Sequence, residues 1–281
     1  MATVQNSFGR VGRRTVLIGL AAGAAACSAP TEHPATASSA TTLPATATST
    51  TPAPTGTAGA SSATTATPTA ATPTADVLRT PGPDIASGPT TVNAVALTFH
   101  GQGDIALAHR VLEVAAAHGA HLTVFAVGQW LTATPSIGRE IVAAGHDLGN
   151  HTWSHRAMTH LGAAGAASEI SRGADAVRSA VGSPGLLFRP SGTPTSTATI
   201  RAAAAQSGYA RCISYDVDPL DYTDPGAAAV TSRTLAAVRP GSIISLHLGH
   251  AGTADALPAI LEGLAAAHLE PVTLTRLLAT G

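Results

Sequence analysis

From Val92 onward, short apolar runs alternate with stretches of helical period. Val92–Phe99 reads as a hydrophobic strand. Behind it, Leu107, Val111, Leu112, Val114 and Ala115 fall on one face of a helix predicted over 105–118, with Asp104 placed to cap it. His121–Val127 predicts a second strand. Thr134 and Pro135, a cap residue followed by proline, open a helix that runs to Ala144 and closes at Gly145. Further helices are predicted over 164–181, 195–207, 225–238 and 254–268, with strands over 210–215 and 242–248 and a short last strand at Val272. Repeated strand–helix units of this size imply a parallel α/β sheet or barrel. No glycine-rich phosphate loop follows a strand, which counts against a dinucleotide fold. In an α/β barrel the strand C-termini meet at one face. The polar residues just after strands, His100, Asp104, His151, His155, Arg189, Asp216, Asp218, Asp221 and His247, are therefore expected to converge.

Upstream the pattern stops. Residues 28–90 are almost entirely Thr, Ala, Ser, Pro and Gly, with too little apolar area to offset chain entropy. They predict a disordered stalk with a root-mean-square span of roughly 45 Å. Ahead of it, Arg13 and Arg14 precede a run of small and apolar residues that ends at Cys27. The run is too short to cross a bilayer, which takes roughly 20 apolar residues, and fits an export signal. The arginine pair resembles a twin-arginine signal. Ala24-Ala25-Ala26-Cys27 resembles a lipoprotein cleavage box, departing at Ala24 where leucine is usual. A lipidated Cys27 would tether the protein to a membrane; an ordinary cleaved signal is the other reading. The expected organisation is thus an export signal over 1–27, a linker over 28–90 and a catalytic domain over 91–281, in an exported, extracytoplasmic, membrane-anchored protein.

Composition narrows the function classes. The formal charge is -1 and all 15 cations are arginine, with no basic run or aromatic–basic interleaving, so nucleic acid is not an expected partner. Two cysteines without useful spacing exclude a disulfide framework and a cysteine metal knuckle. Cys212, in a strand-like run, reads as a buried inert thiol.

The sharpest chemical signal is His151-Thr-Trp-Ser-His155. Two histidines four apart, on one side of a helical turn, can offer two imidazole nitrogens to one divalent metal. In a chain with 12 His, accidental spacing is the alternative.

The neighbouring motifs favour the metal. Together they resemble the polysaccharide deacetylase family, the carbohydrate esterases with the NodB homology domain, over about 92–278. The resemblance implies a distorted (β/α) barrel and metal-assisted hydrolysis of acetylated glycans. It implies metal ligation by His151 and His155. In Arg189-Pro-Ser-Gly, Arg189 would normally pair with a first-motif base. In Asp218-Pro-Leu-Asp221-Tyr222, Asp221 would orient a catalytic histidine. In Ile-Ser-Leu-His247, His247 would be the general acid for the leaving amine.

The first motif departs from the pattern. Where the family has Thr-Phe-Asp-Asp-Gly, with base and metal ligand adjacent, this chain has Thr98-Phe99-His100-Gly101-Gln102-Gly103-Asp104. Either Asp104 bends back across Gly101 and Gly103 to supply the missing metal-ligating carboxylate, or it only caps the next helix. His100 is then the base or a third imidazole ligand. The metal expected for such ligands is zinc, with nickel and cobalt also suited.

His250, three residues beyond His247, reads as an ordinary loop histidine that could also line the site. Trp153 and Tyr222 read as packing residues. The expected activity is removal of acetyl groups from peptidoglycan or another envelope glycan. The competing readings are a carbohydrate-binding pseudoenzyme and a hydrolase of another amide or ester, since fold does not fix substrate.

Overall fold

The computed structural model describes residues 74–279. The export signal, Cys27 and linker residues 28–73 lie outside the described residues.

Four strands form a parallel ladder in the order β3-β2-β1-β4: β1 (Ala94–Gly101), β2 (Thr123–Ala126), β3 (Asp147–Asn150) and β4 (Ile243–His247). A two-residue strand, β5 (Glu270–Pro271), pairs with the start of β1. Beyond β3 and β4 the wall continues through single bridges. Asn150 pairs with Phe188, the Ile213 N–H donates to the Phe188 carbonyl at 2.8 Å, and Val217 pairs with Ile244. The result is a barrel closed on one side by irregular chain. The strand predicted over 210–215 survives only as these isolated contacts. Both edges of Ile213 are used, one by Phe188 and the other by Ile85.

Ile85 marks a correction to the expected linker boundary at residue 90. Residues 85–88 are built into the barrel wall, through the Ile85–Ile213 and Ser87–Ser242 bridges and a Gly88 N–H bond to Gly241. Helix α1 (Thr74–Arg79) precedes them and buries Leu78 in the same cluster as Ile85 and Leu277. A few apolar residues spaced through a Thr/Ala/Pro-rich tract are enough to dock it, and composition alone averages them away.

Strand alternation decides what faces inward. On β1, Val95, Leu97 and Phe99 pack against the outer helices, while Ala96, Thr98 and His100 face the barrel interior. Around the barrel stand α2 (Ile105–Ala117), α3 (Gly128–Ala133), α4 (Pro135–Ala143), α5 (Ala163–Val181), α6 (Ala198–Gln206), α7 (Ala227–Ala237), α8 (Ala251–Ala266) and α9 (Leu274–Ala279). The periodic helices match their expected positions closely. Strand β3, α3 and α9 were not foreseen, because Asp-Leu-Gly-Asn carries no strand pattern and the two helices are only six residues long. No helix among the described residues is long and apolar enough to cross a membrane.

Candidate active site

The chain leaves β3 at Asn150 and turns sharply, with Thr152 at φ 68° and His155 at φ 58°. His151 and His155 therefore sit on a loop, not on the helical turn that their spacing suggests. Buried side chains hold that loop. Asn150 Oδ1 accepts from the Thr152 N–H, and its amide donates to the Ile170 carbonyl. The buried Glu169 carboxylate accepts from the Trp153 and Ser154 N–H groups and from the Ser154 hydroxyl. The first N–H groups of α3, unpaired within the helix, donate to the Thr152 and Trp153 carbonyls. The Asn before His151 could have signalled an Asx turn; Glu169, on a distant helix, offered no sequence cue.

Gly173 on α5 permits this close approach. A Cβ there would stand 2.2 Å from Asn150 Oδ1 and 2.8 Å from the Thr152 carbonyl carbon. Glycine-to-alanine in a helix interior ordinarily gains up to about 1 kcal/mol. Gly173→Ala is expected to lose about 1–3 kcal/mol instead, by overpacking, with weaker metal binding as the loop shifts. Urea denaturation and metal titration check both effects.

The loop brings His151 and His155 to His100. Ring nitrogens of the three lie within 4.8 Å of one another. The Arg189 carbonyl is 2.8 Å from His151 Nδ1 and accepts its proton, so Nε2 carries the free lone pair. His151 Nε2, His155 Nε2 and His100 Nδ1 are all buried without a hydrogen-bond partner. Burial first, then the neighbouring histidines, holds His100 and His151 well below the ordinary value of 6.5, and His155 is lowered likewise. Three neutral imidazoles with converging, unpaired nitrogens fit a divalent metal.

Asp104 is not brought to this cluster. It is exposed, and its Oδ1 accepts from the Ala106 N–H at 2.9 Å as the N-cap of α2. The loop does not use its glycines to fold back. Gly103, at φ 94°, packs against Gly249, and its carbonyl accepts from the Trp130 indole. Among the described residues the metal-ligating group contains no carboxylate.

Arg189 is buried beneath His100. Its guanidinium donates to the Thr98 hydroxyl and to the Ser214 and Ile213 carbonyls, and lies 4.3 Å from the Phe125 ring centroid. Burial brings its pKa down to about 9, so it remains a cation at neutral pH. Beside it, His247 stands with its ring centroid 4.3 Å from that of His100. Asp221, fully buried, accepts from the His247 ring at 2.8 Å, from the His247 N–H at 2.8 Å and from the Thr253 hydroxyl at 2.6 Å. Thr253 had escaped the sequence reading.

A polysaccharide deacetylase family model matches residues 87–212. A chitooligosaccharide deacetylase from a Bradyrhizobium strain is 33% identical over 159 residues, covering 56% of this chain and 71% of the relative. The chain belongs to the polysaccharide deacetylase family. A peptidoglycan-N-acetylglucosamine deacetylase from Bacillus cereus is 28% identical, with 68% and 90% coverage. Among solved structures, a carbohydrate esterase family 4 pseudoenzyme from Bacillus anthracis superposes with a TM-score of 0.66 at 23% identity, covering 71% of this chain and 69% of that one, which shows the shared fold.

In this polysaccharide deacetylase domain the histidine cluster opens into a cleft of about 370 Å³. His100, His155 and His247 line it, with Asp218, Tyr222 and His250 toward the rim. Tyr222 is 47% exposed, its ring centroid 5.3 Å from that of His247. Asp216, expected at the site, instead bonds the Ile243 N–H and Ser242 hydroxyl and holds the start of β4.

A second histidine group lies at the opposite end of β2. His146 Nδ1 accepts from the Leu122 N–H, and burial, with His121 nearby, brings its pKa down to about 4. The folded protein keeps His146 neutral where the unfolded chain protonates it near 6.5. The contribution of His146 to stability is therefore full above about pH 6.5 and is lost as pH drops toward 4. Asp147, raised by burial, acts with the opposite sign. Urea midpoints at neutral and mildly acidic pH are expected to show the fall, with a smaller slope for His146→Gln.

Proposed function

We propose that this protein is a metal-dependent deacetylase acting outside the cytoplasm on an acetylated carbohydrate polymer, peptidoglycan or another envelope glycan. The observation that carries the reading is the pairing, in one cleft, of a converging three-histidine cluster with a buried Asp221–His247 dyad. The substrate class follows from relatives that deacetylate chitooligosaccharide and peptidoglycan N-acetylglucosamine. The export signal and the Cys27 anchor read from the sequence suit a substrate in the envelope.

His151, His155 and His100 would hold the metal, zinc by default and nickel or cobalt by ligand type. When bound, the metal supplies Lewis-acid polarisation of the acetyl carbonyl and a lowered pKa for water. The convergence of His100 with the other two nitrogens favours the third-ligand role over the base role. As the imidazolium, His247 would deliver its Nε2 proton to the leaving nitrogen, while Asp221 accepts from Nδ1–H and fixes the ring with Nε2 toward the cleft. Thr253 and the His247 N–H keep that carboxylate oriented. Arg189 fixes the backbone carbonyl that sets the His151 tautomer.

One observation favours a second reading, a carbohydrate-binding protein without turnover. Among the described residues the three-histidine group itself contains no carboxylate to act as base. Metal analysis of the purified protein, with acetate release from peptidoglycan and chitooligosaccharide, separates the two. Bound metal with acetate release supports the enzyme. Glycan binding without acetate release under any divalent supply establishes the binding protein.

A further inference from the structure

The Asp221–His247 dyad has a counterpart three residues further along both segments. A single 3-10 turn, Asp221–Thr223, carries Asp221 at its start and Asp224 at its C-cap. The loop between β4 and α8 carries His247 and His250. Each aspartate meets the histidine 26 positions later, and both Nδ1–Oδ1 distances are 2.8 Å. The two imidazole centroids are 5.8 Å apart at 80°. In the inner pair Asp221 is buried and His247 reaches the cleft with 12% of its side chain exposed. In the outer pair His250, 26% exposed, lines the cleft, and Asp224, 70% exposed, faces solvent.

The outer pair has no evident task in the fold. His250 precedes α8 but makes no side-chain cap bond, and an exposed ion pair contributes little to stability. Asp224 adopts a left-handed conformation, φ 51°, as the C-cap of the 3-10 turn. What the pair does achieve is a fixed imidazole at the rim. Asp224 accepts a hydrogen bond from Nδ1–H, so Nε2, across the ring, is free to accept from or, when protonated, to donate to a hydroxyl. Sugar hydroxyls do both.

We propose that His250, held by Asp224, is a substrate-binding residue that hydrogen-bonds a hydroxyl of the sugar next to the one losing its acetyl group. The proposal rests on the deacetylase reading above. His250 touches the glycan; Asp224 is a positioning residue.

The test is calorimetric titration with a chitooligosaccharide, together with steady-state acetate release from it, for the wild type, His250→Ala, Asp224→Ala and Asp224→Asn. His250→Ala is expected to weaken binding and raise KM by about tenfold, the worth of one well-placed hydrogen bond, with kcat changed by less than about twofold. Asp224→Asn keeps an acceptor for Nδ1–H and is expected to stay near the wild type, while Asp224→Ala follows His250→Ala. Unchanged binding and KM in His250→Ala, or a loss confined to kcat, overturns the proposal. A wild type that binds the oligosaccharide without releasing acetate sinks the deacetylase reading, and the binding comparison alone then decides the site. A wild type that neither binds nor releases acetate overturns both.

Discussion

His151→Ala is expected to leave the protein without bound metal and to lower acetate release by about 10³-fold or more. The substitution removes one of three converging nitrogens, and it is the one most firmly set. Its Nδ1 is committed to the Arg189 carbonyl at 2.8 Å, and its Nε2 is buried with nothing else to bind. Loss of an orienting partner behind a ligand typically costs 10–100-fold in affinity or activity. Loss of the ligand itself removes more, because Lewis-acid stabilisation worth several kcal/mol goes with it. The same substitution strands the Arg189 carbonyl, at about 1–3 kcal/mol, so circular dichroism and a urea midpoint must accompany the metal analysis. Asp104→Ala is the informative control. As a cap, Asp104 is worth about 1 kcal/mol, and its loss is expected to leave metal content unchanged. Metal lost in Asp104→Ala would show that the first motif works as the family pattern has it, with a carboxylate ligand.

Asp104 also shows where legibility ended. The periodic elements were readable because each buries a stripe or an alternate face, so α2, α5 and α8 stand close to where their apolar residues put them. Strand-end polar residues were readable as a group for the same reason: β1, β3 and β4 run parallel and deliver His100, His151 and His247 to one end. Two kinds of information were not local. One was the choice between the two roles open to Asp104: the neighbouring Gly103 packs against Gly249, far along the chain, and Asp104 stays at the N-cap of α2. The other was the supporting shell. Glu169 bonds a loop 15 residues upstream, and Thr253 reaches an aspartate 32 residues away. Neither belongs to a motif or a period. The docking of residues 77–90 was not legible for a third reason: its few apolar residues, Leu78 and Ile85, are diluted by threonine and proline, and only their partners Ile213 and Leu277 give them a face to bury.

The other large effect expected is on His247. His247→Ala should retain metal, since its ring is not one of the three converging ligands, yet lose about 10²–10⁴-fold in kcat on an N-acetyl substrate, the usual contribution of a positioned general acid. The decisive variable is the leaving group. An amine leaves only if protonated, so an amide depends on His247 fully. A nitrophenolate departs unprotonated, so hydrolysis of a nitrophenyl acetate is expected to fall far less. Asp221→Asn should give a milder version of the same pattern. An asparagine still offers one acceptor to the His247 ring, but it cannot also accept from both the His247 N–H and the Thr253 hydroxyl as the carboxylate does. The imidazolium it must support loses its counter-charge, and the buried N–H loses its partner, so lower kcat comes with some loss of stability. Equal losses on amide and nitrophenyl ester would remove His247 from the proton transfer and assign it instead to shaping the cleft. A selective loss on the amide, with metal content intact, places the proton donor at His247 and gives the buried Asp221–Thr253 arrangement its reason: it holds one imidazole in one tautomer, facing the bond that breaks.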